Sequence, residues 1–338
     1  MIHVTSKQFN QIPLSVLDLA PITEGSTAEQ SFKNSVELAQ HVEKWGFNRF
    51  WLAEHHNMPG IASSATSVII GHIAGATKSI RVGSGGIMLP NHATLVIAEQ
   101  FGTLETLYPE RIDLGLGRAP GSDQATSYAL RRTLNMRVDD FPAQVEELQG
   151  YFEGGDESRV HAVPGEGLEI PIWLLGSSGF SAQLSAHKGL PFSFASHFAP
   201  DYTIPALNLY RDNFKPSRVL QEPYAMLGVN IIAADTDEEA QWLATSQQQQ
   251  LLSIRSGRPS KLKPPIDNAD EVWSAAELAA VDKSLESDAT IIGGPDTVKR
   301  QLENFIEKTK ADEVIVNAQI FDQKARLRSY EIVAEMMD

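Results

Sequence analysis

Apolar segments with the length of β-strands alternate with helical segments along the first half of this chain. Strands are predicted at residues 12–17, 50–53, 80–89 and 112–117, and a segment with helical spacing of apolar residues follows each one. This alternation is typical of βαβ units, in which successive strands run parallel in one sheet. The chain is therefore predicted to be an α/β protein.

The second half of the chain continues the alternation less evenly. Further strands are predicted at 172–175, 191–198, 225–233 and 313–318. Eight strands alternating with helices predict a single domain over residues 1–338, a (β/α)8 TIM barrel with insertions at its C-terminal face. Residues 256–290, rich in proline and lysine and then acidic, are predicted to be an irregular insertion. A doubly wound open sheet is the alternative, but no G-x-G-x-x-G pattern follows the first strand.

The charge and residue usage of the chain exclude several classes of function. There are 43 Asp plus Glu against 28 Lys plus Arg, for a formal net charge of −15. Such a surface repels phosphate groups, so neither a nucleic acid nor a membrane is expected as a partner. The absence of cysteine excludes disulfides, thiolate metal ligands and a cysteine nucleophile. With no signal-peptide pattern and no apolar run of about 18 residues, a cytoplasmic protein is expected.

Glu54, His55 and His56 directly follow the predicted strand 50–53. In a barrel of parallel strands, catalytic side chains lie at the C-terminal strand ends, and a histidine oriented by a carboxylate suits a general base. Adjacent histidines on an extended chain point in opposite directions, so no metal site is predicted here. A simple solvated loop and a metal-dependent barrel hydrolase are the alternatives.

Gly85 and Gly86 lie inside the predicted strand 80–89. Glycine within a strand marks a bulge or a close approach of a ligand to the backbone, and a pair of glycines permits unusual backbone geometry under a flat ring. The alternative is that the glycines only make room for a bulky neighbour.

Arg118 follows the fourth predicted strand, and Ser177, Ser178 and Gly179 follow the fifth. Hydroxyl groups and free backbone N–H groups at the start of a helix can bind an anion, and an arginine completes a phosphate site. These residues together predict a phosphate-binding site, although Ser-Ser-Gly alone is more typical of a helix cap.

Six motifs spread over residues 10–335 resemble those of one enzyme family. They are WLAEHHN at 51–57, GSGGIMLPNH at 83–92, AEQF at 98–101, PERIDLGLGR at 109–118, WLLGSS at 173–178 and IIGGP at 291–295. With these motifs the chain resembles the bacterial luciferase-like flavin-dependent monooxygenases. The first four motifs together are specific to that family.

The resemblance implies a TIM barrel that binds FMN at its C-terminal face. It implies that the flavin lies over a cis peptide bond between Gly85 and Gly86, and that His55 is the catalytic base near the flavin. The other residues assigned by the resemblance and by their positions are Glu54 as the catalytic carboxylate, Ala53, Arg118, Ser177, Ser178 and Gly179 as cofactor-binding residues, and His56 and His197 in the substrate pocket. For His197, a place in the core is the alternative.

The resemblance also implies a reaction and its partners. Enzymes of this kind use reduced FMN, supplied by a separate flavin reductase, and O2 to oxygenate a small organic substrate, and they commonly form homodimers. Some relatives carry a reactive cysteine beside the flavin, and its absence here weakens an assignment to light emission. An F420-dependent hydride-transfer oxidoreductase and a flavin-binding protein without turnover are the alternatives within this superfamily.

The substrate itself is not identified by the sequence. Loops at 118–140, 198–205 and 256–290 are predicted to shape the pocket, with apolar contributions from Met136, Phe141, Phe198 and Tyr202.

Overall fold

The computed structural model describes residues 6–119, 124–131, 140–155 and 159–338 of the chain. Met136 and part of the predicted pocket loop 118–140 lie outside these residues. The strands are β1 (Gln8–Phe9), β2 (Ile12–Asp18), β3 (Arg49–Leu52), β4 (Arg81–Met88), β5 (Ile112–Gly117), β6 (Ile172–Gly176), β7 (Phe192–Phe194), β8 (Ala225–Ala233), β9 (Thr290–Gly293) and β10 (Glu313–Asn317).

Eight of these strands form a closed barrel of parallel strands. Strands β2 to β8 pair in chain order, β8 pairs with β10, and β10 returns to β2. The short β1 pairs antiparallel with β2, and β9 pairs with the C-terminal half of β8 outside the ring. The prediction of a (β/α)8 barrel is confirmed.

Helices surround the barrel between the strands. They are α1 (Ala28–Trp45), α2 (Thr66–Ala76), α3 (Thr94–Leu107), α4 (Gln124–Arg131), α5 (Phe141–Glu153), α6 (Gly179–Lys188), α7 (Thr203–Asp212), α8 (Asp237–Arg255), α9 (Ala269–Val272), α10 (Ala275–Leu285), α11 (Pro295–Thr309) and α12 (Gln323–Glu335). Helix α1 is representative: the Thr27 hydroxyl accepts from the backbone N–H of Gln30, and Gly46 ends the helix in the left-handed conformation. Within the described residues, no helix combines the length and the apolar character needed to cross a bilayer.

The insertion at 256–290 is more ordered than its composition suggested. Helix α10 begins with a capping box, in which the Ser274 hydroxyl accepts from the Glu277 N–H and the Glu277 carboxylate accepts from the Ser274 N–H. The Ser-x-x-Glu spacing of the sequence is typical of the first turn of a helix. The helix contacts α8 and β9, and in this way it extends the wall of the barrel beside β8.

The sixth predicted strand, 191–198, is shorter in the structure. It ends at Phe194, and the next residues form a tight turn in which the N–H of Phe198 donates to the carbonyl of Ala195. The turn brings His197 and Phe198 over the C-terminal opening of the barrel. Apolar character alone does not distinguish such a turn from a continuing strand.

Buried charged residues hold the N-terminal ends of the barrel strands together. The guanidinium of Arg49 donates to Asp113 at 2.6 Å and to Glu313 at 3.0 Å, and the side chains of all three residues are at most 1% exposed. Glu313 also accepts from Asn48 and Tyr224. Burial disfavours the charged form of Asp113, but Arg49 and the neighbouring Arg81 outweigh it and lower the pKa of this carboxyl. The network joins β3, β5 and β10.

Replacing Glu313 by Ala is expected to destabilise the protein by about 3–5 kcal/mol, because Asp113 would then be the one carboxylate facing both Arg49 and Arg81, which leaves one positive charge of the buried network uncompensated. The free energy of unfolding in urea measures this loss. The matched control is Glu29→Ala, since Glu29 pairs with Lys33 on the exposed face of α1 and its loss is expected to leave the unfolding midpoint unchanged. Equal midpoints for the two variants would contradict the structural role of the network.

Candidate active site

A cavity of about 280 Å³ opens at the C-terminal end of the barrel. All eight barrel strands contribute lining residues, and the short segments after β3, β5 and β6 complete its wall. Its floor contains Trp51, whose indole N–H donates to Asp113 at 3.1 Å, and whose ring packs edge-on against Trp173. The buried charged network therefore directly supports the floor of the cavity.

Most of the residues selected from the sequence meet in this cavity. Those that line it are Ala53, Glu54, His55, Gly85, Gly86, Arg118, Ser177, Ser178, His197 and Phe198. His56 and Gly179 are not among the lining residues: His56 points to Glu54, and Gly179 begins α6. Phe141 and Tyr202 also lie outside the lining. The structure thus brings the predicted base, glycine pair and phosphate-binding residues to one face.

The peptide bond between Gly85 and Gly86 is cis, as the family resemblance implied. A Cβ atom on Gly85 would lie 2.7 Å from Cδ1 of Leu17, and one on Gly86 would lie 2.7 Å from the carbonyl oxygen of Gly115. The backbone of β5 therefore requires glycine at position 86, whereas a side chain at position 85 would displace the end of Leu17. Since both residues also line the cavity, close packing and an open approach for a ligand occur together here.

His55 presents an imidazole to the cavity without a hydrogen-bond partner at its buried Nδ1 atom among the described residues. Burial lowers the pKa of His55 below the ordinary histidine value of 6.5, and the negative charge of Glu54 only partly opposes this effect. The imidazole is therefore neutral at neutral pH. A neutral imidazole with a free nitrogen can accept a proton or a hydrogen bond from a bound molecule.

Glu54 lies between two histidines and a backbone N–H group. Its carboxylate is 1% exposed and lies 2.8 Å from Nε2 of His56 and 2.9 Å from Nε2 of His92, and it accepts from the N–H of Met88 at 3.0 Å. Burial alone would raise the pKa of Glu54, but the contacts with His92, His56 and Met88 hold it below the ordinary value. The carboxylate therefore stays charged and ties the end of β3 to the segment after β4.

His92 had no assigned role in the sequence analysis, although it ends one of the family-like motifs. It follows a short 3-10 turn at Leu89–Asn91, and only this turn directs its ring back to Glu54. Together with His56 and Glu54 it forms a trio whose potential ligand atoms lie within 4.8 Å of one another. The contacts of 2.8–3.0 Å within the trio are those of hydrogen bonds.

The rim of the cavity after β5 and β6 carries groups suited to an anion. The guanidinium of Arg118 lies 4.1 Å from the ring centroid of Phe180, a cation–π contact that orients it. Ser178 occupies the N-cap position of α6, but its hydroxyl makes no capping hydrogen bond. Ser177 is exposed beside it. Two serine residues that directly precede a helix thus line the same cavity as an arginine.

His197 closes another part of the wall. Its Nδ1 atom would lie 2.5 Å from a Cβ on Gly228, so only glycine at that position of β8 leaves room for the ring. Burial lowers the pKa of His197 to about 4, which keeps this imidazole neutral as well. The residue is neither in the hydrophobic core nor fully exposed, because it lines two adjoining cavities.

Comparisons with known proteins all indicate the same family. A family model described as luciferase-like monooxygenase matches residues 12–313. The chain is 54% identical to a luciferase-like monooxygenase of Escherichia coli, over 97% of both chains. It is 31% identical to the N-acetyl-S-alkylcysteine monooxygenase of Bacillus subtilis, over 96% of this chain and 98% of that protein. The crystal structure of apo-MsnO8 superposes with a TM-score of 0.87 at 35% identity, covering 96% of this chain and 98% of the other.

More distant solved structures share the fold and differ in their cofactors. One is the oxygenating component of 3,6-diketocamphane monooxygenase of Pseudomonas putida in complex with FMN, with a TM-score of 0.72 at 18% identity. Another is an F420-dependent secondary alcohol dehydrogenase, with a TM-score of 0.66 at 15% identity. At these identities the likeness establishes the barrel alone.

Replacing Glu54 by Gln is expected to destabilise the protein by about 1–3 kcal/mol, because an amide NH2 group would face one of the N–H donors that the carboxylate now accepts from. The difference from the wild type is expected to be complete above pH 4.5, the ordinary glutamate pKa, and to vanish as pH falls through the lower pKa of the folded state. Thermal unfolding between pH 3 and pH 7 measures it.

Glu166→Gln is the matched control for this experiment. Glu166 also pairs with a histidine, since its carboxylate lies 2.7 Å from Nδ1 of His161, but both side chains are substantially exposed. Its melting temperature is expected to stay close to that of the wild type. A Glu54→Gln variant as stable as this control would refute the proposed importance of the buried carboxylate.

Proposed function

Because the chain belongs to the luciferase-like monooxygenase family, we propose that it is an FMN-dependent monooxygenase, which uses reduced FMN and O2 to oxygenate a small organic substrate. One observation carries this proposal: a single cavity at the C-terminal face combines the cis Gly85–Gly86 step, the imidazole of His55, whose Nδ1 atom has no hydrogen-bond partner among the described residues, and Arg118 with two hydroxyls on its rim. In the balanced reaction one oxygen atom enters the substrate, the other leaves as water, and reduced FMN supplies the two electrons.

The residues present fit FMN at both ends of the molecule. Arg118, Ser177 and Ser178 are the groups that would hold its phosphate, since a guanidinium and free hydroxyls suit a phosphate dianion. The backbone at Gly85 and Gly86 would lie against the ring system, because no side chain stands between that peptide and the cavity. When bound, the reduced flavin supplies the electrons that activate O2.

The protein's own contribution is to exclude water from the cavity and to accept a proton. Apolar side chains line much of the cavity, among them Leu17, Trp51, Leu175 and Phe194, and they keep bulk water from the reacting groups. His55 is the proposed catalytic base, because its imidazole is neutral and its Nδ1 atom is free to take a proton. Glu54 is the proposed catalytic carboxylate, and it fixes the chain segment that carries His55.

Partners and location follow from the same proposal. A two-component enzyme needs a flavin reductase to deliver reduced FMN, and the 31%-identical relative named N-acetyl-S-alkylcysteine monooxygenase makes a thioether the first substrate to test. A cytoplasmic homodimer remains the prediction from the sequence. F420-dependent hydride transfer and flavin binding without turnover are distinguished from monooxygenation by the experiment that follows.

The wild-type protein is expected to bind FMN and to oxygenate N-acetyl-S-methylcysteine when a flavin reductase supplies reduced FMN in air. Product formation, measured by mass spectrometry, is expected to cease under nitrogen because O2 is the oxygen source. Binding of F420 in place of FMN, with turnover that continues under nitrogen, would instead establish hydride transfer.

In the same assay, His55→Ala is expected to lower kcat/KM by about 10²–10⁴-fold, the usual contribution of a general base. Because burial lowers the pKa of His55, wild-type activity is expected to stay near its maximum at pH 6.5 and to fall only in more acidic solution. Unchanged turnover in the His55→Ala variant would support flavin binding without a catalytic imidazole and would contradict the assignment of the base.

Replacing Arg118 by Met is expected to weaken FMN binding about 10- to 100-fold, because a hydrogen bond between charged groups contributes about 1.5–3 kcal/mol. Binding of riboflavin, which lacks the phosphate, is expected to be unchanged. Fluorescence titration of both flavins measures the two affinities, and Arg300→Met, at an exposed position of α11, serves as the matched control. An equal loss for FMN and riboflavin would show that Arg118 does not contact the phosphate.

A further inference from the structure

Two histidines converge on one oxygen atom of a buried carboxylate at the edge of the candidate active site. Oε1 of Glu54 lies 2.8 Å from Nε2 of His56 and 2.9 Å from Nε2 of His92, while Oε2 accepts from the N–H of Met88 at 3.0 Å. Glu54 lines the active-site cavity, whereas neither of these histidines lines it. The two imidazoles therefore approach the carboxylate from outside this cavity.

Glu54 differs from the other buried carboxylates in the groups that face it. Within the described residues, each of the other acidic side chains that are fully buried pairs with an arginine, and these are Asp18, Asp113 and Glu313. Glu54 is 1% exposed and forms no ion pair with a lysine or an arginine in the same part of the chain. Buried charges in proteins are either paired or coordinate a metal ion. A cation held between the carboxylate and the two imidazoles would supply the missing positive charge.

The spacing of the three potential ligand atoms suits a transition-metal ion. These atoms lie within 4.8 Å of one another. Bonds of about 2.0–2.1 Å to zinc place neighbouring ligand atoms about 3.0–3.4 Å apart, so an ion requires the two rings to move away from Oε1 by only about 0.5 Å. A neutral imidazole presents a lone pair at Nε2 when its proton is on Nδ1. The side chains of His56 and His92 are 14% and 26% exposed, which leaves a path for an ion from solvent.

We propose that Glu54, His56 and His92 bind one divalent transition-metal ion, with zinc as the ion that this ligand set suits. Two imidazoles and one carboxylate are the ligands of zinc sites that keep one position open for water. The sequence analysis predicted no metal site because adjacent histidines point apart, but the second imidazole comes from His92, which follows the turn at Leu89–Asn91.

A zinc ion at this site joins the segments after β3 and β4 and so fixes the segment that carries His55. The inference goes beyond the proposed function and does not depend on it, because none of the residues assigned above to FMN is a ligand. Failure of the protein to bind FMN would overturn the proposed function and leave the metal site intact.

Isothermal titration calorimetry with ZnCl2, on protein treated with EDTA and then dialysed, measures the binding. The wild type is expected to bind about one zinc ion per chain. His56→Gln and His92→Gln each keep an N–H donor for Glu54 and remove a metal ligand, so both variants are expected to fold as the wild type does and to bind zinc more than about 100-fold more weakly. The loss of a residue that only orients a ligand costs less, about 10- to 100-fold.

His161→Gln is the matched control. His161 also contacts a carboxylate, that of Glu166, but the pair is exposed and contains one histidine, so this variant is expected to bind zinc as the wild type does. MgCl2 is expected not to displace the zinc, because imidazole ligands suit zinc and not magnesium. An ion held only by the acidic surface of the chain would be displaced.

X-ray absorption at the zinc edge of the loaded wild-type protein tests the ligand set without any substitution. Two imidazole ligands are expected. A different number of imidazoles, no zinc binding at micromolar concentration, or displacement of the zinc by magnesium would overturn the proposal. Equal zinc affinity in the wild type, His56→Gln and His92→Gln would show an adventitious ion only and would overturn it as well.

Discussion

The ion pairs of Arg49 with Asp113 and Glu313 are the interaction on which the rest of the structure depends. A guanidinium and two carboxylates without access to water are tolerated only while all three remain together. Because they lie on β3, β5 and β10, they fix the positions of these three strands relative to one another along the barrel axis. Asp113 also accepts from the indole of Trp51 in the floor of the cavity. The geometry of this cavity is thus tied to a network at the other end of the strands.

Glu54 has a comparable role at the C-terminal end. One buried carboxylate binds His56, His92 and the backbone of Met88, and so it joins the loops that follow β3 and β4. The alternation of side chains along an extended chain then directs His55 to the opposite side, into the cavity. The three residues of the Glu-His-His motif therefore have different contacts: the carboxylate and the second histidine hold the loop, while the first histidine lines the cavity.

Two cavities that share His197 and Phe198 lie at the C-terminal face of the barrel. The first is lined by the proposed phosphate-binding groups, the glycine pair and His55. The second, beside β8, is lined mainly by the elements that follow β8 along the chain. Helix α10, which forms one wall of the second cavity, lies in the insertion at 256–290. Residues of the insertion therefore line the second cavity and not the first.

The sequence by itself determined the barrel, because the alternation of apolar strands and helices reflects burial of the strands on both faces and leaves few other topologies. It also selected His55, Gly85 and Arg118, which the structure brings to one cavity, since short motifs at strand ends keep their place whatever the loops do. Only the tertiary structure decided that His92 contacts Glu54 and that two cavities share His197. Both depend on contacts between segments far apart in the chain, and local residue patterns carry no information about such contacts.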